Sequence, residues 1–337
     1  MAHHALTASL RLVHAPLSNQ DADILRNIRT KGAKSLKSRL GEAPIYMIAQ
    51  REEIFFSDRK FDQEEGVFSF SLVMGDKRLS GRVDVAFLSA RYGDPNCASL
   101  GFRDGATTIY VLDIDERGKK TAVWAASPDA LLYQHWRKEP GIKLDGDVRA
   151  FATYRLLYIG MSEDGAYNRL IKAPHHARLG ILSNEYQIRA EARLTDEVYF
   201  FLFEIDPLQI RSWGPDDEIS EDFFERMASG DSGLPQANLI CDVEKAFIRM
   251  LDTKYNNVKY SNYPHVAGGI SSLGIDSYAY VIAEDITFEV QGQRVDGGYA
   301  EGLPSSNYAD FILVSGDDVA LIDVSENKEF DFGVDAT

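Results

Sequence analysis

The chain has 337 residues, of which 45% are hydrophobic and 26% are charged, and its formal net charge is −16. This composition is typical of a globular protein, and no apolar run approaches the roughly 18 residues of a membrane span, so we expect no membrane insertion. The two cysteines are too few for a disulfide framework or a thiolate metal site, and they fit a reducing, cytoplasmic location.

The first hundred residues predict mainly β-strands. Apolar and polar residues alternate in short runs, and Gly75 with Asp76 is a typical hairpin turn between two of these runs. Asp21 and Asp23 favour the start of a helix that runs into a basic stretch, where Gly32 disfavours its continuation. The strands predicted in this part are 6–13, 45–48, 53–56, 67–74 and 78–88.

Helices and strands are mixed in the rest of the chain. The segment 162–164 can cap a helix, and Pro174 favours another helix start because proline is tolerated in a first turn. The predicted strands are 107–114, 122–126, 150–159, 197–205, 278–283, 286–291, 311–314 and 319–324. The predicted helices are 128–136, 167–171, 175–187, 222–228 and 238–251.

The negative charge is concentrated at the C-terminal end. Residues 271–337 hold 14 acidic and two basic residues, whereas the stretch 26–39 holds no acidic residue at all. A basic stretch can follow the phosphates of a nucleic acid, and it can equally be a solvated face. Its six cations are the candidate nucleic-acid-binding residues: Arg26, Arg29, Lys31, Lys34, Lys37 and Arg39.

Glu244 has an unusual position on its predicted helix. At about 100° per residue it falls inside the apolar arc formed by Ile240, Val243, Phe247 and Leu251. A carboxylate there must be desolvated, paired or bound to a cation. The ordinary alternative is a side chain at the edge of the stripe that reaches solvent or an arginine.

Several further polar residues follow one another in a suggestive order. Each has an ordinary structural explanation, such as a core aromatic, a solvated cation, a helix cap or a turn. In chain order they are the strand end Leu157-Tyr158-Ile159-Gly160, then Arg169, the pair His175 and His176, Glu244, and Asn256.

Together with Tyr110 in Ile109-Tyr110, this order resembles the GIY-YIG endonuclease family over roughly residues 105–265. The resemblance implies metal-dependent cleavage of nucleic acid, in particular DNA, in a setting such as restriction or defence. It implies that Glu244 binds one Mg²⁺ (or Mn²⁺) and that Arg169 clamps the phosphate. It also implies that Tyr110 or Tyr158 takes the proton of the attacking water, that His175 or His176 assists, and that Asn256 fixes the glutamate end of the site.

The resemblance predicts an α+β fold with a small, mainly antiparallel sheet flanked by helices, in which the strands of Tyr110 and Tyr158 are neighbours. These tyrosines lie 48 residues apart, far more than in the family, so an insertion is required. We therefore predict a β-rich N-terminal module over 1–104 and a nuclease-like domain over 105–265, with insertions near 116–146 and 215–233. An acidic, β-rich module follows over 266–337.

Other interpretations remain open. The chain could be a non-catalytic nucleic-acid-binding or regulatory protein with this fold. It could also be an interaction protein whose acidic C-terminal surface binds a basic partner or covers the basic surface of the same chain. Asp310 and Asp323 resemble the paired acids of PD-(D/E)xK nucleases, but Ser325 stands where a lysine is needed.

Overall fold

The computed structural model describes residues 3–94, 99–213 and 233–325. The predicted helix 222–228 and most of the predicted insertion 215–233 lie outside these ranges. The described strands are β1 (His3–Leu12), β2 (Leu17–Ser18), β3 (Ile45–Gln50), β4 (Phe55–Asp62), β5 (Val67–Met74), β6 (Lys77–Asp84), β7 (Ser99–Asp104), β8 (Ile109–Ile114), β9 (Lys120–Ala126), β10 (Ile142–Asp145), β11 (Thr153–Met161), β12 (Val198–Ser212), β13 (Ser277–Ile282), β14 (Thr287–Val290), β15 (Gln293–Asp296), β16 (Phe311–Ser315) and β17 (Asp318–Ile322).

The helices pack around these strands. They are α1 (Asn19–Asn27), α2 (Lys31–Glu42), α3 (Val85–Tyr92), α4 (Pro128–Trp136), α5 (His176–Asn184), α6 (Leu194–Glu197) and α7 (Gln236–Leu251), with a 3-10 turn at Arg149–Phe151 and a π-helical segment at Tyr167–Lys172. The mixed α and β content predicted from the sequence is confirmed.

Side-chain caps explain two departures from the predicted elements. The predicted helix through the basic stretch is split in two, because Ser18 caps α1 and Thr30 caps α2 with their side-chain oxygens. The predicted strand 78–88 ends at Asp84, whose carboxylate accepts a hydrogen bond from the backbone N–H of Phe87 (2.8 Å) and starts α3.

The largest sheet has ten strands and draws them from all three predicted modules. Its order is β15-β14-β11-β3-β12-β1-β13-β16-β17, with β2 paired to β12. In its middle, β3 lies between β11 and β12 and is antiparallel to both. The segment between β3 and β11 forms two further antiparallel sheets, ordered β10-β6-β5-β4 and β7-β8-β9.

The large sheet is strongly curled. Strands β13 and β14 are separated by four intervening strands, which at about 4.8 Å per spacing amounts to roughly 24 Å across a flat sheet. The chain joins them through residues 283–286 alone, which span about 14 Å when extended. The two halves of the sheet must therefore bend towards each other.

Two apolar cores cover the two faces of the sheet. The larger one includes Met47 of β3, Phe201 of β12 and Phe247 of α7. The smaller one packs α1, α2, the π-helical segment and α5 against Ile48 and Phe200 on the opposite face. The candidate catalytic residues lie at the edge of this smaller core.

Candidate active site

Tyr158 has a tyrosine neighbour on the next strand, and that neighbour is Tyr46. Strand β11 carries Tyr158 and pairs antiparallel with β3, which carries Tyr46. The centroids of the two rings are 6.1 Å apart, and both rings contact the imidazole of His175 at centroid distances of 5.5 and 5.4 Å. A compact cluster of three rings therefore lies on the side of the sheet that carries the smaller core.

A β-bulge in β11 puts Tyr158 on this face. Leu156 pairs with Ala49 and Tyr158 pairs with Ile48, so Leu157 is an extra residue between the two pairs. Without it, strict alternation would place Tyr158 on the same face as Tyr154 and Leu156. With it, Tyr154 lies in the larger core and Tyr158 contacts the smaller one.

Gly160 makes room for the Tyr46 ring. The residue is directly opposite Tyr46 in the strand pair. A Cβ atom at this position would lie 2.6 Å from Cζ of Tyr46 and 2.8 Å from Cε1 of Tyr158. Glycine is thus required by the close approach of the two tyrosine rings over the backbone.

The hydroxyl oxygen of Tyr46 is the centre of the hydrogen-bond network. It is 2.9 Å from Nε2 of His175, and Nε of Arg169 donates to it at 3.2 Å. Burial raises the pKa of Tyr46, the adjacent Tyr158 raises it further, and the guanidinium of Arg169 opposes this increase. The phenol is therefore protonated in the free protein and lies beside a fixed positive charge.

The role of His175 follows from its position at the start of α5. Its Nδ1 accepts a hydrogen bond from the backbone N–H of Arg178 (3.2 Å) and caps the helix. Burial, together with the charges of Arg169 and Arg178, lowers the pKa of His175 to about 4, so the ring is neutral near pH 7. A neutral ring whose Nδ1 accepts must carry its proton on Nε2, and it donates that proton to Tyr46.

Arg169 presents the rest of its guanidinium to solvent. The side chain extends from the π-helical segment, and only Nε is engaged, at the Tyr46 hydroxyl. Neither Nη atom has a hydrogen-bond partner within the described ranges. The planar fork of an arginine fits two oxygens of a phosphate, so the two free Nη groups form a suitable phosphate clamp.

Glu244 reaches the end of β11 from α7. Its Oε1 accepts a hydrogen bond from the backbone N–H of Met161 (3.0 Å), and Oε2 has no partner among the described residues. Burial raises the pKa of Glu244, while the Met161 bond and the charges of Lys245 and Arg169 counteract this. The carboxylate is desolvated without a direct ionic partner, which is the state that a bound cation would relieve.

Asn256 holds the backbone of β11 at the wall of the site. Its side-chain oxygen accepts from the N–H of Ile159 (2.9 Å), and its amide nitrogen donates to the carbonyl of the same residue (2.8 Å). This two-point contact fixes the strand between Tyr158 and Gly160. Asn256 is thus a positioning residue for the tyrosine strand.

A pocket of about 410 Å³ lies beside the cluster. Tyr158, Glu244 and Asn256 line it together with His176, which is exposed at its rim. Next to the pocket, Lys254, Tyr255 and Arg155 surround Glu185 and lower its pKa to about 2 against the effect of burial. This ionised carboxylate fixes the loop that follows α7.

Tyr110 is not part of the cluster, which corrects the expectation that its strand lies beside that of Tyr158. Strand β8 pairs with β7 and β9 in the three-stranded sheet, where the Tyr110 ring lies under Arg103 at 4.6 Å. Both Ile45-Tyr46 and Ile109-Tyr110 contain the same dipeptide. The apolar run of β3 is buried throughout, as is typical of a central strand, whereas β8 alternates. Both sequences are mostly apolar, so this difference in burial is visible only in the structure.

The six cations of the basic stretch have different environments. Lys37 donates to the carbonyls of Arg26 and Ile28 at the end of α1, and Arg39 donates to the carbonyl of Val13. Arg26 lies 3.7 Å from Asp23. Arg29 and Lys34 are exposed and have no ion pair within the described ranges. Lys31 is the first residue of α2.

The acids at the C-terminal end have structural roles. Asp310 accepts hydrogen bonds from the backbone N–H groups of Asp296 and Val324, and Asp323 accepts from the backbone of Ser325. These contacts fix the connections around β15, β16 and β17. Lys328 lies outside the described residues.

Two further observations concern metals and membranes. Within residues 3–94, 99–213 and 233–325, no three side chains of the His, Cys, Asp or Glu type gather as a metal-binding group. In the same ranges, none of the helices has the length and apolar character that a membrane crossing requires.

No protein-family model, no curated protein and no solved structure matches this chain.

Proposed function

We propose that this protein is a metal-dependent endonuclease that hydrolyses phosphodiester bonds of DNA, with a GIY-YIG-like catalytic unit built from β3, β11, β12, α5 and α7. The observation that carries the proposal is the cluster of Tyr46, Tyr158, Arg169 and His175, in which Tyr158 also lines a pocket together with Glu244. The sequence resemblance assigned four of these residues to one site. Tyr46 takes the place that the resemblance gave to Tyr110.

Hydrolysis forms a P–O bond to the oxygen of water and breaks the ester P–O bond on the opposite side. The attacking water must lose a proton, and the departing oxygen must gain one. Tyr46 is suited to proton transfer because two donors, Nε2–H of His175 and Nε–H of Arg169, converge on its oxygen. These donors stabilise a phenolate, and Tyr158, which lines the pocket, lies next to the Tyr46 hydroxyl.

The charge that develops on phosphorus oxygens requires fixed positive groups. The free Nη atoms of Arg169 supply a clamp beside Tyr46, and the arginine is held in place by its Nε contact. Tyr158, whose pKa is raised by burial and by the nearby charge of Glu244, remains a neutral donor that can orient a phosphate oxygen or the water.

The donor set at Glu244 fits Mg²⁺ or Mn²⁺. The carboxylate is a hard oxygen ligand, its Oε2 is unpaired within the described ranges, and the pocket has room for water ligands. When bound, such a cation would supply Lewis-acid polarisation of the phosphate. Burial raises the pKa of Glu244, and a bound cation would offset this cost of keeping the carboxylate ionised.

The surroundings of the pocket support a polyanionic substrate. Helix α2 packs on the π-helical segment that carries Arg169, and Lys34 projects from α2 into solvent. Arg29, in the connection between α1 and α2, adds a second exposed cation. These two residues are the best candidates for tracking the DNA backbone beyond the scissile phosphate.

The proposal is tested with supercoiled plasmid and single-stranded DNA in the presence of Mg²⁺ or Mn²⁺. We expect the wild type to cleave, and Glu244→Gln and Arg169→Ala to lose about 100-fold or more in rate. Glu191→Gln and Arg59→Ala, which change exposed residues remote from the pocket, serve as matched controls with unchanged rates. Equal cleavage by all variants would assign the activity to another protein. Binding of DNA without cleavage by the wild type would favour the non-catalytic alternative.

A further inference from the structure

A second pocket of about 670 Å³ lies outside the candidate active site. It is formed where the segment after β1, together with α1 and α2, meets α4 and the three-stranded sheet. Its volume falls in the usual range for sites that enclose a small molecule. Tyr110, which the fold excludes from the catalytic cluster, is part of its wall.

Aromatic side chains form part of this wall. Tyr110, Trp124 and Tyr133 all line the pocket and are all half-buried. Tyr133 is anchored through its hydroxyl, which donates to the carbonyl of Leu12 (3.1 Å), and the guanidinium of Arg137 covers its ring at 4.4 Å. Planar side chains fixed in this way are suited to stacking on a planar ligand.

His14 presents a hydrogen-bond acceptor in the same pocket. Its Nδ1 lies 2.8 Å from the carbonyl oxygen of Ala15, which can only accept, so Nδ1 carries the proton. Burial lowers the pKa of His14, and the ring is neutral near pH 7. Nε2 is therefore an acceptor, and it has no hydrogen-bond partner within the described part of the chain.

Arg39 adds a positive charge that no carboxylate neutralises among the described residues. Its Nη2 is held at the carbonyl of Val13 (2.8 Å), and its charge contributes to the lowered pKa of His14. The other charges of the pocket wall are engaged. Arg137 pairs with Glu284, Glu139 pairs with Arg91, and Asp21 accepts a hydrogen bond from Ser18.

We propose that this pocket binds a nucleobase that carries a phosphate, supplied as a free mononucleotide or as an unpaired base of a strand. The aromatic wall takes the base, Nε2 of His14 accepts from a ring or exocyclic N–H, and Arg39 binds the phosphate. The assignment does not depend on catalysis at the Tyr46 site, since it concerns binding alone.

The test is a titration of the full chain with adenosine and cytidine 5′-monophosphates, followed by calorimetry and by tryptophan fluorescence. We expect the nucleotide to quench the tryptophan fluorescence of the wild type. The Trp124→Phe variant should show no quenching but should still give a calorimetric binding signal. Arg39→Ala should weaken binding at least about tenfold, because a charge-assisted hydrogen bond is lost. Ribose 5-phosphate, which lacks the base, should bind more weakly by a similar factor. Arg59→Ala, on an exposed arginine elsewhere, is the matched control and should bind as the wild type does.

Two other arms distinguish the sources of the base and exclude the catalytic pocket. In the first arm, a short single-stranded oligonucleotide is tested for displacement of the bound mononucleotide. Displacement that disappears when one base is removed from the oligonucleotide would identify a base of a strand as a ligand. If the oligonucleotide does not displace the mononucleotide, the ligand is a free nucleotide. Absence of binding at millimolar concentration would overturn the proposal. So would binding that Glu244→Gln abolishes and Arg39→Ala leaves intact, since the ligand would then occupy the Tyr46 site.

Discussion

Two clusters of similar composition lie on opposite faces of the same sheet. The Tyr46 cluster consists of Tyr46, Tyr158, Arg169 and His175. The Arg51 cluster consists of Arg51, Asp129, Tyr154 and Tyr199, and its members contact one another at 2.6 to 3.2 Å. Each contains an arginine and two tyrosines from different strands, β3 and β11 in the Tyr46 cluster and β11 and β12 in the Arg51 cluster.

The clusters differ in how their charges and donors are used. Arg51 is buried, pairs with Asp129 at 2.9 Å, and donates to the carbonyl of Phe151 as well. Arg169 is exposed and contributes only Nε to a protein contact in the described ranges. The two clusters are therefore alike in composition and differ in the number of arginine donors that protein contacts leave unused.

The largest effect should come from breaking the Arg51 cluster. Arg51→Met leaves the carboxylate of Asp129 buried without its cation, and we expect the free energy of unfolding to fall by about 3–5 kcal/mol. Arg59→Met removes the same kind of ion pair at the same 2.9 Å distance, with Asp104, but at the surface. Its cost should stay below about 1 kcal/mol. Urea denaturation measures the free energy of unfolding of both variants. Equal losses would contradict the claim that burial makes the Arg51 ion pair the more important one.

The corresponding change in the Tyr46 cluster should affect activity instead. Tyr46→Phe removes the hydroxyl on which His175 and Arg169 converge, so we expect DNA cleavage to slow by about 100-fold or more. Tyr186→Phe, which removes a hydroxyl from an exposed ring, is the control. Single-turnover rates separate the chemical step from binding, and an unchanged rate for Tyr46→Phe would exclude this residue from proton transfer.

Gly160→Ala should disturb the same cluster without removing any functional group. The added methyl group would overlap the rings of Tyr46 and Tyr158, which cannot move away easily. We expect a loss of about 1–3 kcal/mol of stability, as for other overpacked sites, together with slower cleavage. Gly32→Ala, in α2 with open space around it, should leave both quantities unchanged or slightly improved. Wild-type cleavage by Gly160→Ala would show that the ring positions are not critical.

The smallest effect concerns the pH dependence of stability, which should have opposite signs in the two regions. The pKa of His175 falls to about 4 in the folded protein, below its usual 6.5, so this residue lowers stability as the pH falls through that interval. Glu53 lines a small pocket with Asp129 and Tyr199, where burial and the charge of Asp196 raise its pKa to about 7. The folded state then binds the extra proton, and stability declines as the pH rises from about 4.5 to 7.

Unfolding curves recorded across this pH range check both signs. The His175→Gln variant should lose less stability than the wild type as the pH falls from 6.5 to about 4. Glu53→Gln, which resembles the protonated carboxyl, should gain stability at alkaline pH and match the wild type near pH 4. A Glu53→Gln variant that is less stable than the wild type at alkaline pH would contradict the assignment.

The sequence predicted much of the secondary structure because periodicity and caps are local signals. It also indicated Glu244, since a carboxylate inside an apolar helical arc needs a partner. The residues placed at the site by resemblance, Tyr158, Arg169 and His175, do lie together in the structure. Whether they carry the proposed chemistry is left to the activity measurements.

The pairing of strands could not be predicted in the same way. The resemblance assigned Tyr110 to the site, yet the strand beside that of Tyr158 is β3, which carries Tyr46 and pairs with β11 across a segment that folds into two sheets of its own. The bulge at Leu157 was equally hidden, because a single extra residue changes the face of Tyr158 without changing the composition of the strand.

The strand order of the curled sheet also affects how the protein folds during synthesis. Strand β1 is synthesised well before its two neighbours, because β12 and β13 begin only at Val198 and Ser277. Contacts between such distant segments form slowly because a long loop must close before they become favourable. Strand β1 therefore keeps its hydrogen-bonding edges unpaired until these segments have been synthesised, and this interval is when the nascent chain most needs protection from aggregation.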